Sequence, residues 1–176
     1  MHNRTIQSGF SLVELVIVLI VLGIVSVTVA PRFFGTTGFA EFAAQQQLLS
    51  ALRVLQTKSM YDSSGGYCYR MVFDSAGQEI GPTVARYETS TAAASCATAI
   101  ATNPPQSLSL DDADLSSVNV SFSTSDNGSA FSYIQFDSLG RPSTSAGTCA
   151  LRCEITISGE QTTQLCIGVQ GYVYEC

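Results

Sequence analysis

The sequence has no tryptophan and a single histidine, His2, and only 12% of its residues are charged. Ser-His-Asp and Cys-His hydrolases need an imidazole base. No histidine follows His2, so residues 3–176 cannot form either catalytic arrangement. The sequence also has no glycine-rich loop followed by lysine that could cradle a phosphate. These absences predict that the protein is not an enzyme and that it needs no cofactor.

Basic residues are scarce as well, with eight lysines and arginines against fourteen aspartates and glutamates. Nucleic-acid binding needs a basic patch, which here would require Arg86, Arg141 and Arg152 to converge. We therefore expect no nucleic-acid partner.

The chain does have a long apolar run near its amino terminus. Leu12 to Ala30 contains one charged residue, Glu14, and as a helix it would span about 28 Å, close to the thickness of a bilayer core. A charge at the centre of such a helix costs about 2.5–3.5 kcal/mol, and less near an end. Glu14 therefore needs a partner, and a cut between Gly9 and Phe10 would create a cationic amine four residues before it.

Residues 1–9 are short and polar, and Arg4 is their only full charge. With Gly9 before the cut, Phe10 after it and Glu14 four residues later, the segment resembles the amino terminus of a type IV prepilin. The resemblance implies that a prepilin peptidase cuts between Gly9 and Phe10 and methylates the Phe10 amine. It also implies that Glu14 acts in subunit assembly.

The same resemblance implies partners and a location. The partners are other pilin subunits, contacted through the amino-terminal helix, together with the prepilin peptidase and the inner-membrane assembly platform. The chain would cross the inner membrane once, with a periplasmic head, before it enters a pilus outside the cell.

The expected fold class is α+β, in which a long amino-terminal hydrophobic helix packs on a carboxyl-terminal antiparallel β-sheet head stapled by disulfides. We predict four segments. They are a leader at 1–9, a transmembrane or filament-core helix at 10–31, its amphipathic continuation at 32–62 and a periplasmic β-rich head at 63–176.

Two patterns predict the secondary structure that follows the apolar run. Phe39 to Met60 has no glycine or proline and is rich in Ala, Gln and Leu, which indicates a helix. We expect one face of it to bury Phe42, Leu49, Leu52 and Leu55, and we expect Glu41, Gln45, Arg53 and Lys58 to lie off that face. Alternating residues then predict strands at Tyr67–Phe73, Val118–Phe122, Phe131–Asp137, Glu154–Ser158, Gln164–Val169 and Tyr172–Glu175.

Two other stretches have weaker patterns. Ala92 to Ile100 is rich in Ala and Thr and is compatible with a short helix. Asp111, Asp112 and Asp114 could offer oxygens to calcium, but the stretch lacks the glycine turn and distal glutamate of a calcium loop. We expect a solvated acidic loop there.

All six cysteines lie beyond the apolar run, on the side of a membrane where disulfides persist. They are Cys68, Cys96, Cys149, Cys153, Cys166 and Cys176. A zinc site at Cys149 and Cys153 is disfavoured because no second close pair of cysteine or histidine ligands exists. We expect up to three disulfides and no bound metal.

The apolar pattern constrains which cysteines can pair. Pairing Ile155 with Leu165 keeps apolar side chains on one face and sets Cys153 across from Ile167, which disfavours a Cys153–Cys166 bridge. A two-residue turn at Gln170-Gly171 would then set Leu165 across from Cys176, which disfavours Cys166–Cys176. We expect Cys68–Cys96, and we expect Cys166 to bond to a cysteine outside these three strands, with Cys149 the nearest in sequence.

Two head-domain patterns extend the resemblance. Phe136 to Pro142 (FDSLGRP) is similar to pseudopilin-H and FimT-like minor subunits. Other stretches resemble MshC-type minor pilins of the mannose-sensitive haemagglutinin (MSHA) pilus. They are Pro31 to Phe34, the Ala/Gln/Leu helix, and Met60 to Asp62 followed by Tyr67 to Arg70. The resemblance implies a minor pilin of such a pilus, active in assembly or adhesion. The alternative is an H-type minor pseudopilin of a type II secretion system; a DNA-uptake pilin is a weaker alternative, because Gln170 to Cys176 has no basic residue.

Overall fold

The computed structural model describes residues 11–33, 39–62, 68–83, 96–116 and 118–176. The chain divides into two compact units, Met1–Thr36 and Thr37–Cys176. In the first unit, α1 comprises Leu12–Phe33. Within the described residues, no helix combines the length and the apolar character needed to cross a membrane. The predicted membrane span at 10–31 and the predicted segment boundaries therefore stay predictions.

The second unit begins with α2, Ala40–Tyr61, which confirms the predicted helix to within one residue at each end. Its buried stripe runs through Leu48, Leu52 and Leu55 at helical spacing. Glu41 and Gln45 lie seven residues, or about two helical turns, before Leu48 and Leu52, so they belong to the same buried stripe. The prediction that these two polar residues lie off the buried face was wrong.

Phe42 was also misassigned, since it is 45% exposed. It follows Glu41 by one residue and is therefore rotated by about 100° from the stripe. The predicted Leu49, Leu52 and Leu55 are buried, and Arg53 and Lys58 are exposed, as expected.

Among the described residues, eight strands follow α2 and form two antiparallel sheets. The first sheet has the order β2-β1-β4-β5 and the second has the order β3-β6-β7-β8. The strands are β1 Arg70–Asp74, β2 Glu79–Pro82, β3 Ser121–Asp126, β4 Tyr133–Phe136, β5 Pro142–Thr144, β6 Arg152–Ser158, β7 Thr162–Gly168 and β8 Val173–Glu175. A helix followed by antiparallel strands with disulfides confirms the predicted α+β class.

Six of these strands correspond to predicted ones, with ends displaced by a few residues. Strands β2 and β5 were not predicted, because each is short and contains a proline. The Ala/Thr stretch lies outside the described residues up to Ser95, and residues 96–100 are irregular rather than helical.

The two sheets and α2 enclose one core. Strands of both sheets contact α2, and the largest fully buried side chains come from all three layers. They include Leu48 and Leu52 of α2, Met71 and Ile134 of the first sheet, and Ile155, Leu165 and Ile167 of the second. Polar side chains of α2 also reach the second sheet, where Arg53 Nη2 donates to the Val173 carbonyl at 2.9 Å.

One glutamine fastens the carboxyl-terminal half of α2 to both sheets. Gln56 Nε2 donates to the carbonyls of Gly140 at 2.8 Å and Gly171 at 2.9 Å. Gly140 lies between β4 and β5, and Gly171 lies between β7 and β8. A Cβ atom on Gly171 would collide with the Gly140 carbonyl, so these two connections approach each other closely only because residue 171 has no side chain.

The register between β6 and β7 is the predicted one. Ile155 pairs with Leu165, and Cys153 pairs with Ile167. These four side chains are buried, so the apolar pattern decided the register.

The register between β7 and β8 differs from the prediction by one residue. The Gly171 N–H donates to the Gly168 carbonyl at 2.8 Å, and the Gly168 N–H donates to the Tyr172 carbonyl at 3.0 Å. The loop therefore has three residues, of which Gly171 has a φ of 87°, as in hairpins that close with a left-handed residue. Ile167 consequently pairs with Val173 rather than with Tyr174.

Candidate functional site

The helix α1 carries one carboxylate among apolar side chains. Glu14 lies in its first turn, and the Leu15 N–H donates to the Ser11 carbonyl at 3.2 Å. A negative charge is favoured at this end of a helix, because the first N–H groups leave a partial positive charge there.

Every large apolar side chain from Leu12 to Ile24 is exposed, with exposed fractions from 44% to 79%. Monomeric soluble proteins rarely expose so large an apolar surface, which marks a site of protein or membrane contact. Burying one such side chain is worth about 1.5–3 kcal/mol. The segment from Leu12 to Ile24 is therefore the strongest candidate interaction site among the described residues, and Glu14 is its single acidic group.

Gly9 and Phe10, the predicted cleavage and methylation residues, lie outside the described residues. The predicted cleavage therefore stays a prediction. The same holds for the pairing of Glu14 with an amine.

The six predicted disulfide cysteines form three disulfides, Cys68–Cys96, Cys149–Cys153 and Cys166–Cys176. The predicted Cys68–Cys96 bridge is confirmed. The predicted partner of Cys166 was wrong, since Cys149 bonds to Cys153 and Cys166 bonds to Cys176.

The shifted register of β8 explains the Cys166–Cys176 bridge. Cys166 pairs with Tyr174, so Cys176 lies two residues further along the same face of the sheet and diagonally across from Cys166. The two Cα atoms are 5.8 Å apart, a distance that a disulfide spans readily. The two-residue turn assumed from the sequence had placed Cys176 on the opposite face.

Arg70 holds the segment that contains Cys96 against the first sheet. Its Nη1 donates to the carbonyls of Cys96 at 2.9 Å and Ala97 at 3.0 Å, and its Nη2 donates to Gln135 Oε1 at 2.7 Å. The guanidinium also stacks on the Tyr133 ring, 3.7 Å from its centroid. This buried arginine is therefore structural, and its charge is not displayed to a ligand.

The arginines that a nucleic-acid surface would need have acidic partners where the structure describes them. Arg141 Nη2 lies 2.7 Å from Asp137 Oδ2, and Arg152 Nε lies 2.5 Å from Glu154 Oε1. Arg86 lies outside the described residues.

Asp126, Cys149 and Cys153 form a buried cluster whose potential ligand atoms lie within 4.8 Å of one another. The two sulfurs are bonded to each other, so neither offers the thiolate that zinc binds. Asp126 Oδ2 instead accepts hydrogen bonds from Thr144 Oγ1 at 2.8 Å and from the Cys149 N–H at 3.2 Å. The carboxylate thus fixes the chain that leads into the disulfide.

The acidic stretch at 111–114 opens a short helix rather than forming a loop. The helix α3 comprises Asp112–Ser116, and Asp111 Oδ1 accepts a hydrogen bond from the Asp114 N–H at 2.8 Å. Asp111 therefore acts as a helix N-cap. Asp111 and Asp114 are exposed.

Glu41 is a buried carboxylate that the sequence analysis missed. The Gln161 N–H, in the connection from β6 to β7, donates to Glu41 Oε1 at 3.0 Å. The backbone N–H groups of Gln161 and of Glu41 itself, with a smaller contribution from Glu160, lower the carboxyl pKa below its ordinary value of 4.5, although burial opposes this. Glu41 thus attaches the first turn of α2 to the second sheet.

We expect Glu41→Gln to lower the free energy of unfolding at pH 7 by about 1.5–3 kcal/mol, the range for hydrogen bonds to charged groups. Because the folded pKa lies below the unfolded value, the stabilisation is present above pH 4.5 and is lost as the pH falls through the folded pKa. Thermal unfolding of the detergent-solubilised chain between pH 3 and 7 checks this. Wild type and variant should converge at the acid end, whereas Glu160→Gln, an exposed change in the same connection, should follow wild type throughout. A constant difference at every pH would contradict the assignment.

Comparison with known families agrees with the description of α1. Residues 4–30 match the family model of the prokaryotic N-terminal methylation motif. No curated protein and no solved structure matches the chain significantly.

The matched motif and the apolar, exposed α1 with its single carboxylate indicate a type IV pilin-like prepilin. In general terms, the motif supports a subunit of the type IV pilin or pseudopilin kind. The motif implies processing by a prepilin peptidase and assembly with other pilin subunits. It is consistent with a membrane-anchored protein that later reaches the surface of a pilus.

Proposed function

We propose that the chain is a minor pilin of a type IV pilus of the MSHA kind, with no enzymatic activity of its own. The observation that carries this proposal is the position of Glu14, which lies in the first turn of an exposed apolar helix inside the methylation motif. A prepilin peptidase cuts between Gly9 and Phe10 and methylates the Phe10 amine.

Assembly follows from burial of α1 among the equivalent helices of other subunits. In the filament outside the membrane, each apolar side chain that is kept from water contributes about 1.5–3 kcal/mol, and this large, non-directional term holds subunits together. Glu14 adds direction, because a buried carboxylate must meet a cation. The methylated Phe10 amine of a neighbouring subunit is that cation, so the pair sets the axial position of one subunit against the next.

Before assembly, residues 10–31 anchor the subunit in the inner membrane as a single span. The head then lies in the periplasm. The three disulfides support this orientation, because such bonds persist in oxidising compartments and are rare in the cytosol. The proposed partners are other pilins, the peptidase and the inner-membrane assembly platform.

Deletion of the gene in its own cell tests the choice between a pilus and a secretion system. The proposal expects fewer surface pili and weaker adhesion, with unchanged secretion of extracellular enzymes. Sheared pili from the wild type should contain the chain at a low ratio to the main pilin. Normal piliation with a secretion defect would replace the pilus by the alternative, an H-type minor pseudopilin.

A further inference from the structure

Three buried side chains, two at the start of α2 and one in β7, each keep one oxygen without a hydrogen-bond partner among the described residues. The atoms are Glu41 Oε2, Gln45 Oε1 and Thr163 Oγ1. The three residues are 1%, 3% and 7% exposed. Buried polar atoms almost always have a partner, and each exception needs a physical explanation.

The three residues belong to the two elements α2 and β7, which contact each other, and we call them the buried polar cluster. Glu41 and Gln45 are four residues apart and therefore share a face of the helix. Gln161 holds Glu41 through its N–H, and Gln45 Nε2 donates to the Gln164 carbonyl at 2.8 Å. Thr163 lies between Gln161 and Gln164 in the sequence. It shares the buried face of β7 with Leu165 and Ile167, at every second position.

The donor and acceptor inventory of the cluster defines its ligand. Glu41 Oε2 and Gln45 Oε1 can only accept hydrogen bonds, whereas the Thr163 hydroxyl can also donate one. The orientation of the Gln45 amide is fixed, because its nitrogen faces a carbonyl. A molecule that donates two hydrogen bonds and accepts one satisfies all three atoms, and the burial of the cluster admits only a very small molecule.

We propose that one water molecule is bound in this cluster, donating to Glu41 Oε2 and Gln45 Oε1 and accepting from Thr163 Oγ1. Buried waters typically make about three hydrogen bonds to polar groups that would otherwise be unsatisfied. The water adds a further link between the first turns of α2 and β7, beside the direct hydrogen bonds of Glu41 with Gln161 and of Gln45 with Gln164.

A metal cation fits the cluster less well than water. Glu41 lies in the first turn of α2, where the partial positive charge of the helix end repels a cation. Calcium takes six to eight oxygen ligands, and the cluster supplies three. The charge of Glu41 is already met by backbone N–H groups.

The variant Thr163→Val tests the proposal through the sign of its effect. Valine keeps the shape of threonine and removes the hydroxyl. If the water is bound, the variant leaves it one partner short, and the unfolding temperature of the full chain in detergent should fall by about 2–4 °C. If no water is bound, the hydroxyl is a desolvated orphan, its removal should raise the unfolding temperature, and the proposal is overturned.

Two further measurements accompany this variant. Thr162→Val, at the exposed neighbouring position, is the matched control and should leave the unfolding temperature near that of wild type. A crystal structure of the full chain should show density for a single light atom about 2.6–3.2 Å from the three oxygens. Absent density would overturn the proposal. A cation is tested by adding sodium or calcium at constant ionic strength. If the unfolding temperature then rises in wild type but not in Glu41→Gln, the cluster binds a cation and the proposal is overturned.

Discussion

Glu14→Ala should lower the incorporation of the chain into pili by about a hundredfold or more. The change leaves the amine of a neighbouring subunit buried without its partner, and breaking a buried ion pair in this way costs about 3–5 kcal/mol, where each 1.4 kcal/mol is a factor of ten. Quantitative mass spectrometry checks this by comparing the chain in sheared pili with the chain in the membrane fraction.

The head should be unaffected by the same change, because Glu14 belongs to a different compact unit from the disulfide-bonded head. The unfolding temperature of the detergent-solubilised variant should equal that of wild type, with all three disulfides formed. Glu160→Ala, which removes an exposed carboxylate from the head, is the matched control and should be incorporated normally. If Glu14→Ala lowers the unfolding temperature of the head, the proposed division between assembly and folding is wrong.

Gly9→Leu should abolish processing. The residue before the cut must let the peptidase approach the backbone closely, and a leucine side chain at that place obstructs the approach. The variant should accumulate in the membrane at the mass of the uncleaved chain, while Gly9→Ala, with a much smaller side chain, should be cut partly. Immunoblots of membrane fractions separate the two species.

A second glycine of the methylation motif provides the control. A Cβ atom on Gly23 of α1 would meet no atom within 4 Å, so Gly23→Leu adds the same bulk where the subunit itself has room for it. It should be cleaved as efficiently as wild type, whatever its effect on assembly. Equal cleavage of Gly9→Leu and wild type would place the peptidase cut elsewhere.

The long helix α2 and the hydrophobic strands that follow it could be predicted because their residues favour one conformation throughout. α2 has no glycine or proline between Ala40 and Tyr61, so its ends are close to those expected. In β6 and β7, the alternation of apolar side chains allows only one register that buries Ile155 and Leu165 together.

The register of β8 could not be predicted in the same way, because it depends on a loop of three residues instead of two. Gln170-Gly171 matches a two-residue turn in composition. The left-handed conformation of Gly171 and its close approach to Gly140 are tertiary features. This one-residue difference reversed the face on which Cys176 was expected and so produced the wrong partner for Cys166.

The buried polar residues of α2 were missed for a related reason. Glu41 and Gln45 are hydrophilic, and hydrophilic residues of an amphipathic helix are expected on its exposed face. Their burial depends on backbone groups of Gln161 and Gln164, more than a hundred residues away in the sequence. Only the packing of α2 on the second sheet shows that these groups lie within reach.

The intact mass of the protein extracted from the membrane of its own cell is the decisive test of the prepilin assignment. We expect a mature chain that begins at Phe10, lacks residues 1–9 and carries one added methyl group, with three disulfides still formed in the head. Fragmentation should place the methyl group on the Phe10 amine. A mature species that retains Met1 in a cell producing pili would contradict the assignment of this chain as a prepilin.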